Sequence, residues 1–385
     1  MSSSSLSRRG FLASLGVVAA GTTLVSCSST DPEALPAVPI TFGGSTVPFD
    51  GPHQAGIHTP PQAHANLIGF NMKAGMTKRE MGFLMRLWTE DARRLCAGIA
   101  PLGDLEPEVV ESPANLTITV GLGASFFDKA GLAAQKPAWL HPIPAMKLDQ
   151  LDEQHWPQTD IVLQLCCDDP TTLSHATRHM IRAGVDYTDY LWMQQGFLNA
   201  NGTEAPGTTA RNLFGFKDGT VNPNTEEDYE NIVWIRDNAA WLDGGSAMVV
   251  RRIAFNMDTW EMLDRDSREV VFGRKVDSGA PLTGTDEFDD PDYSKTDSYG
   301  LPIIDPASHM ARATNPADKP YQKIRRRAYS YDLPPIPGDP TGQTANSGLI
   351  FICFQQDPDE QFTPIQQRLD ESDRLNQWIT HIGSQ

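Results

Sequence analysis

The sequence predicts an α+β fold built from a duplicated module, because two patterns recur in the same order in both halves. Leu67–Met72 is an apolar run that ends in Phe-Asn-Met and precedes a helical pattern, and Arg252–Met257 repeats this arrangement. An apolar run at Asp160–Cys167 is followed by Asp-Asp-Pro and a helical pattern, and Gly348–Phe354 is followed by Gln-Gln-Asp-Pro and another. Two strand–helix units that recur in order indicate a repeated α+β module.

Several helices have recognisable ends. Thr77, followed three residues later by Glu80, fits a capping box at a helix N-terminus. The helix after Asp-Asp-Pro is predicted to begin near Pro170 and to stop at Gly184. The last helix is predicted from about residue 364 to residue 382. Its apolar side would carry Ile365, Leu369, Leu375 and Trp378.

Composition excludes some classes of protein. The 385 residues carry a formal net charge of −18, and nothing in the chain resembles the basic patch of a nucleic-acid-binding protein. An acidic surface favours cationic or neutral partners. The five cysteines show no metal-ligand spacing, and no disulfide framework is predicted. The acidic stretch from Asp277 to Asp305 lacks the ligand spacing of a calcium loop, so we expect a solvated loop at the rim of a pocket.

Residues 1–27 have the features of an export signal. Ser7-Arg8-Arg9-Gly10-Phe11-Leu12 matches a twin-arginine signal, and the apolar stretch that follows is too short and too rich in Gly and Ala for a good spanning helix. Leu24-Val25-Ser26-Cys27 resembles a lipobox, in which Cys27 is lipidated; an ordinary cleavage site is the alternative. Residues 28–45 are predicted to be a tether. The protein is therefore expected at the outer face of the cytoplasmic membrane, held only by a lipid anchor, or secreted.

The functional inference starts from Gly215-Phe216-Lys217-Asp218-Gly219-Thr220. Glycines at both ends allow a tight turn that presents the carboxylate of Asp218 at close range. The segment resembles the Gly-x-x-Asp-Gly motif of the dye-decolorizing peroxidases, which are haem enzymes. Further segments resemble that family in its own order: Pro48–Ile57, Leu116–Gly121, Met248–Ile253, Ser308–Pro316 and Ile324–Tyr331.

The resemblance covers nearly all of the chain after the tether. The chain is similar in particular to the exported deferrochelatase/peroxidase branch, which is linked to bacterial iron uptake. The resemblance implies two ferredoxin-like halves, residues 46–215 and 216–385, with antiparallel sheets and peripheral helices. One haem b per chain is expected in the second half, between the sheet and the helices. Family members usually continue beyond the position of Gln385 with an apolar strand, so the resemblance also implies a shortened C-terminus.

The resemblance selects His309 as the axial ligand of the haem iron. A haem iron that reacts with peroxide needs one strong ligand and an open opposite face. Neutral histidine supplies such a ligand when its other nitrogen donates to a carboxylate. Asp373 is the candidate for that carboxylate, and a surface salt bridge is its alternative role. Arg312 lies three positions after the histidine, where the family usually has two, and is expected to pair with a haem propionate.

The open face of the iron needs a proton shuttle and a charge stabiliser. Asp218 is assigned the first role. Aligning Arg-Arg-Ala-Tyr-Ser-Tyr with the family's pattern assigns Arg326 the second, with Arg327 as the alternative. Leu349 and Phe351 are predicted to share one strand face and wall this pocket, ordinary core being the alternative. Four residues are candidates for carrying electrons from large donors at the surface: Trp234, Trp241, Tyr329 and Tyr331.

These assignments predict a haem peroxidase that reduces hydrogen peroxide and oxidises phenolic or dye-like donors by one-electron steps. Two alternatives stay open: a deferrochelatase, which releases iron from haem, and a haem carrier without turnover. The expected partners are hydrogen peroxide and small aromatic donors. Iron-uptake proteins and a second copy of the chain are further candidates, and nucleic acid is not.

Overall fold

A computed structural model describes residues 43–236, 241–338 and 343–385. The predicted signal, Cys27 and almost all of the tether lie outside these ranges. The strands are β1 (His64–Met72), β2 (Thr117–Leu122), β3 (Ile161–Cys167), β4 (Thr188–Phe197), β5 (Ala247–Phe255), β6 (Arg325–Arg326), β7 (Tyr329–Leu333), β8 (Asn346–Gln355) and β9 (Ile379–Ser384). The α-helices are α1 (Lys78–Cys96), α2 (Ala124–Lys129), α3 (Pro170–Gly184), α4 (Glu226–Ile232), α5 (Met257–Trp260), α6 (Arg265–Phe272), α7 (His309–Ala313) and α8 (Phe362–Ser372).

The described strands form one antiparallel sheet in the order β2-β3-β1-β4-β7-β8-β5-β9, with β6 also paired to β8. The first module orders its strands β4-β1-β3-β2, with α1 and α3 as its crossover helices. The second orders them β9-β5-β8-β7, which places each strand as in the first. The modules join where Phe197 of β4 pairs with Ser330 of β7. This β-α-β-β-α-β arrangement, present twice, confirms the α+β prediction of two ferredoxin-like modules.

Apolar side chains pack on both faces of the sheet. Leu84 and Trp88 of α1 lie buried against the first module, in a core that α3 also covers. A second core is shared by both modules and includes Leu67 of β1. Cys167 belongs to the first core and Cys166 to the shared one, so these neighbours point to opposite faces of the sheet. The four cysteines of the described residues are free thiols.

Two helix ends agree with the sequence. The side chain of Thr77 accepts a hydrogen bond from the N–H of Arg79, and Glu80 accepts one from the N–H of Thr77 at 3.1 Å. This is the predicted capping box at the start of α1. The helix α3 ends at Gly184, as predicted.

The prediction for the last helix is wrong beyond Ser372. At that residue α8 ends, a 3₁₀ turn follows at Arg374–Gln377, and β9 occupies Ile379–Ser384. The side chain of Asp373 accepts the N–H of Leu375 at 2.9 Å, which starts the turn. The β-branched residues of β9 favour an extended chain, and β9 pairs with the open edge of β5. Asp373 therefore follows the helix and is not part of it.

The acidic stretch from Asp277 to Asp305 is a long loop between α6 and α7. Most of its acidic side chains are exposed or half-buried, as expected, but Glu287 is only 6% exposed. The expectation of a fully solvated loop is therefore wrong at this residue. Within the described ranges, no helix combines the length and the apolar character that a membrane span requires.

Candidate active site

Asp218 lies on a turn whose glycines adopt left-handed backbone conformations. Gly215 has φ +90° and Gly219 has φ +130°, a region in which glycine is favoured because it lacks a Cβ. The N–H of Asp218 donates to the carbonyl of Ala210 at 2.8 Å. The Asp218 side chain is 16% exposed. The turn thus presents a largely buried carboxylate.

Arg326 and Arg327, the last two of three consecutive arginines, have different partners. Arg326 donates from Nη1 to Oδ1 of Asp218 at 2.7 Å. Arg327 is 1% exposed and donates from Nη1 to the hydroxyl of Tyr329 at 2.9 Å, in the core shared by both modules. Neighbouring strand residues point to opposite faces, which accounts for the difference. The structure brings Arg326 to Asp218 and places Arg327 elsewhere.

Glu287 supports the Asp218 turn from the acidic loop. It accepts a hydrogen bond from Nζ of Lys217 at 2.5 Å and from Oγ1 of Thr220 at 3.0 Å, so it holds the chain on both sides of Asp218. Burial raises the pKa of Glu287, but hydrogen bonds from Lys217, Thr209 and Thr220 outweigh it, and the pKa lies below the ordinary value of glutamate. Sequence reasoning missed this residue, because its partners lie 67 and 70 positions away.

A cavity of about 310 Å³ opens beside the Asp218–Arg326 pair. Leu349 contributes to its wall, together with residues 198–204 and 208–212. Phe351 was predicted to share this wall but is not among the lining residues. Its ring packs near that of Phe362, with 6.0 Å between centroids. Leu349 thus lies where the sequence predicts, and a pocket role for Phe351 stays a prediction.

His309 is the first residue of α7. The Oγ of Ser308 caps this helix by accepting the N–H of Ala311 at 3.4 Å. Gly273, with φ +79°, ends α6, and a Cβ at this position would lie 2.8 Å from Oγ of Ser308. Glycine therefore permits the close approach of α6 to the start of α7. The ring of Phe272 packs against the imidazole, with 5.7 Å between centroids.

Asp373 lies behind His309, as the sequence predicts. Nδ1 of His309 donates to Oδ2 of Asp373 at 2.6 Å, and Asp373 is 5% exposed. Burial lowers the pKa of His309, but the charge and hydrogen bond of Asp373 outweigh it, and the pKa lies above the ordinary value of histidine. In the described part of the chain, Nε2 has no hydrogen-bond partner. A buried carboxylate at Nδ1 and a free Nε2 are the arrangement of a metal-binding histidine.

His309 is not among the residues that line the cavity beside Asp218, but it lies near enough to feel the charges of the acidic turn. The side chain of His309 is 27% exposed. Asp218 raises the pKa of His309 and Arg326 lowers it, so both lie within electrostatic range of the imidazole. His309 therefore offers an axial ligand, and the Asp218–Arg326 ion pair lies within its electrostatic range. These residues fit a haem that binds peroxide on one face only.

Arg312 has other partners than the one expected. Its Nε donates to the carbonyl of Arg368 at 2.9 Å, and its Nη2 pairs with Glu371 at 2.7 Å. These contacts fasten α7 to α8 and give no support for pairing with a haem propionate. That role of Arg312 stays a prediction.

The four candidate electron carriers differ in exposure. Trp241 is 47% exposed. Trp234, Tyr329 and Tyr331 are buried, so none of these three is the surface residue that the hypothesis requires. The hydroxyl of Tyr329 accepts the interior hydrogen bond from Nη1 of Arg327 described above.

Comparison with known proteins gives the family. Models of the N-terminal and C-terminal parts of Dyp-type peroxidases match residues 54–198 and 209–385. The chain belongs to the Dyp-type peroxidase family. It is 36% identical to the deferrochelatase of Yersinia pestis over 356 residues, which is 87% of this chain and 79% of that protein. It is 34% identical to the deferrochelatase of Escherichia coli strain K12 over 355 residues, or 87% and 82%.

Solved structures agree with this assignment. A DyP-type peroxidase from Cellulomonas bogoriensis superposes with a TM-score of 0.84 and 43% identity, over 89% of this chain and 93% of that one. Ferric DtpA from Streptomyces lividans gives a TM-score of 0.84 and 37% identity, over 90% and 94%. The predicted fold, the peroxidase class and haem as cofactor are thereby confirmed. The roles of individual residues and the module boundary near residue 215 stay predictions.

Proposed function

We propose that this peroxidase reduces hydrogen peroxide at a haem b held by Nε2 of His309 and oxidises phenolic or dye-like donors by one-electron steps. The observation that carries the proposal is the Asp218–Arg326 ion pair, at 2.7 Å, within electrostatic range of His309. Haem supplies the iron that accepts peroxide and the oxidising equivalents that donors then remove.

Asp218 and Arg326 have different tasks in this proposal. Oδ1 of Asp218 accepts the hydrogen bond of Arg326, which leaves Oδ2 to take a proton from one peroxide oxygen and return it to the other. The guanidinium of Arg326 stabilises the negative charge that grows as the O–O bond breaks. Positioned proton transfer contributes roughly 10²–10⁴-fold to a rate, and a preorganised charge donor about 10²–10³-fold.

His309 and Asp373 control the opposite side. The 2.6 Å hydrogen bond keeps the proton on Nδ1, orients the ring and makes Nε2 a stronger electron donor. Leu375 holds the second oxygen of Asp373, so the carboxylate cannot rotate away without losing that bond. With haem bound, Nε2 of His309 would hold the iron and donate charge to it.

A second candidate function is deferrochelation, favoured by the name of the Yersinia pestis and Escherichia coli relatives. One experiment separates the two. The purified haem protein is incubated with and without peroxide and a dye, and both dye absorbance and porphyrin fluorescence are recorded. Peroxide-driven bleaching without porphyrin fluorescence supports the peroxidase. Iron-free porphyrin without bleaching supports deferrochelation, and a Soret band with neither supports a carrier.

Export and anchoring belong to the proposal as well. The twin-arginine segment at Arg8 and Arg9 and the lipobox-like Cys27 support a lipoprotein at the outer face of the cytoplasmic membrane. The twin-arginine route carries folded proteins, which suits a chain that acquires haem in the cytoplasm. Iron-uptake proteins at that membrane, and a second copy of this chain, are the proposed protein partners.

A further inference from the structure

Asn222 lies on the same turn as Asp218 and contacts the main chain of Arg326. We propose that Asn222 is a positioning residue that fixes Arg326 for its contact with Asp218. This inference rests on the proposed function of the Asp218–Arg326 pair.

The carboxamide of Asn222 binds both main-chain polar groups of one residue. Its Nδ2 donates to the carbonyl of Arg326 at 2.9 Å, and its Oδ1 accepts the N–H of Arg326 at 2.9 Å. A carboxamide has the same donor and acceptor as a peptide group. Asn222 therefore gives Arg326 the pair of hydrogen bonds that a residue of a neighbouring antiparallel strand would give.

The strand that carries Arg326 needs this support. β6 has two residues and pairs with β8 along one edge, where Arg326 lies opposite Cys353. The N–H of Arg327 donates to the carbonyl of Ile352 in β8 at 2.8 Å, so the main-chain polar groups of Arg327 face β8. Alternate residues of a strand direct their polar groups to opposite edges. The polar groups of Arg326 thus face away from β8, where Asn222 takes the place of the next strand.

Asn222 is itself fixed to the turn of Asp218. Its N–H donates to the carbonyl of Gly219 at 2.9 Å. A Cβ at Gly219 would lie 3.1 Å from Nδ2 of Asn222, so the absence of a side chain there leaves room for the carboxamide. Three covalently linked residues separate Asn222 from Asp218. The turn therefore holds the carboxylate directly and holds the main chain of Arg326 through Asn222.

The position of the Arg326 main chain determines how its guanidinium reaches Asp218. Arginine has a long side chain with several rotatable bonds, and a contact at 2.7 Å is kept only if its Cα is placed accurately. Loss of the carboxamide would free one edge of Arg326 and leave two main-chain groups without partners. Arg326 would then spend less time beside Asp218 and beside an anion on the open face of the iron.

Fluoride binding to the ferric haem protein tests this inference without turnover. Fluoride binds on the open face and accepts hydrogen bonds from donors there. For Asn222→Ala we expect the fluoride Kd to rise about ten-fold and the rate of reaction with peroxide to fall about ten-fold, less than for Arg326→Leu, which removes the donor. Asn222→Ser, which keeps a small polar group, is expected to weaken fluoride binding in the same direction with a smaller loss of Tm.

Asn66→Ala is the matched control. Asn66 is a buried carboxamide of the first module that donates to Oγ1 of Thr177 at 2.9 Å. Its loss should lower the Tm and leave the fluoride Kd unchanged. If Asn222→Ala and Asn222→Ser lower the Tm but keep fluoride Kd and peroxide rate within two-fold of wild type, Asn222 is merely structural and the inference is wrong. If Arg326→Leu also leaves both unchanged, the proposed role of Arg326 fails first, and the inference fails with it.

Discussion

The buried ion pair between Lys217 and Glu287 gives a prediction whose size follows from the structure. The Lys217 side chain is 18% exposed and that of Glu287 is 7% exposed. Glu287→Gln removes one partner and leaves a largely buried ammonium without its counter-charge. Breaking a buried pair in this way costs about 3 kcal/mol of unfolding free energy, the lower end of the usual range.

The unfolding free energy lost in Glu287→Gln depends on pH, and the pKa of Glu287 gives the direction. The pKa of Glu287 in the folded protein lies below its ordinary value of about 4.5. The stabilisation is therefore fully present above about pH 4.5 and is lost as the pH falls through the lower pKa of the folded state. Replacing Glu287 should thus cost most near neutral pH and little in strong acid.

Urea denaturation of four proteins measures the pair: wild type, Glu287→Gln, Lys217→Met and the double variant. At neutral pH we expect the double variant to lose less unfolding free energy than the two single variants lose together, because it has no unpaired charge. Both single variants should also slow the reaction with peroxide, since Lys217 adjoins Asp218. A coupling energy near zero at neutral pH, or a cost of Glu287→Gln that does not shrink in acid, would show that the Lys217–Glu287 pair does not stabilise the fold.

Two further predictions concern the iron and the export signal. Asp373→Asn should keep haem bound through His309 but raise the reduction potential of the iron, because the ligand donates less charge; spectroelectrochemistry measures the shift, and an unchanged potential would contradict it. Cys27→Ser should move the protein from the membrane fraction to the soluble fraction with peroxidase activity retained; a protein that stays membrane-bound would exclude the lipid anchor.

The duplicated fold could be predicted because each module repeats its local pattern. Apolar runs before helices occur at β1 and β5 and again at β3 and β8. The same logic would have predicted β9, since β4 follows α3 in the first module. The apolar residues Leu369, Leu375 and Trp378 suggested a longer helix instead. Local periodicity does not register the open edge of β5, which β9 completes.

The sequence predicts the reactive residues of the site but not the residues that position them. Asp218, Arg326 and His309 stand in motifs, and their types match the chemistry. Glu287 and Asn222 act through contacts to partners 67 to 104 positions away, and a single sequence has no signal for such pairs. The many acidic residues around Glu287 instead indicated a loop exposed to solvent.

Stopped-flow absorbance at the Soret band after mixing with peroxide tests the roles of Asp218 and Arg326. Wild type is compared with Asp218→Asn, Arg326→Leu and Arg327→Leu. We expect the first two variants to react about 10²-fold more slowly, and Arg327→Leu, whose guanidinium lies in the shared core, to lose stability but keep its rate. If Arg327→Leu is the slow variant, or if Asp218→Asn and Arg326→Leu react as fast as wild type, the proposed site is wrong.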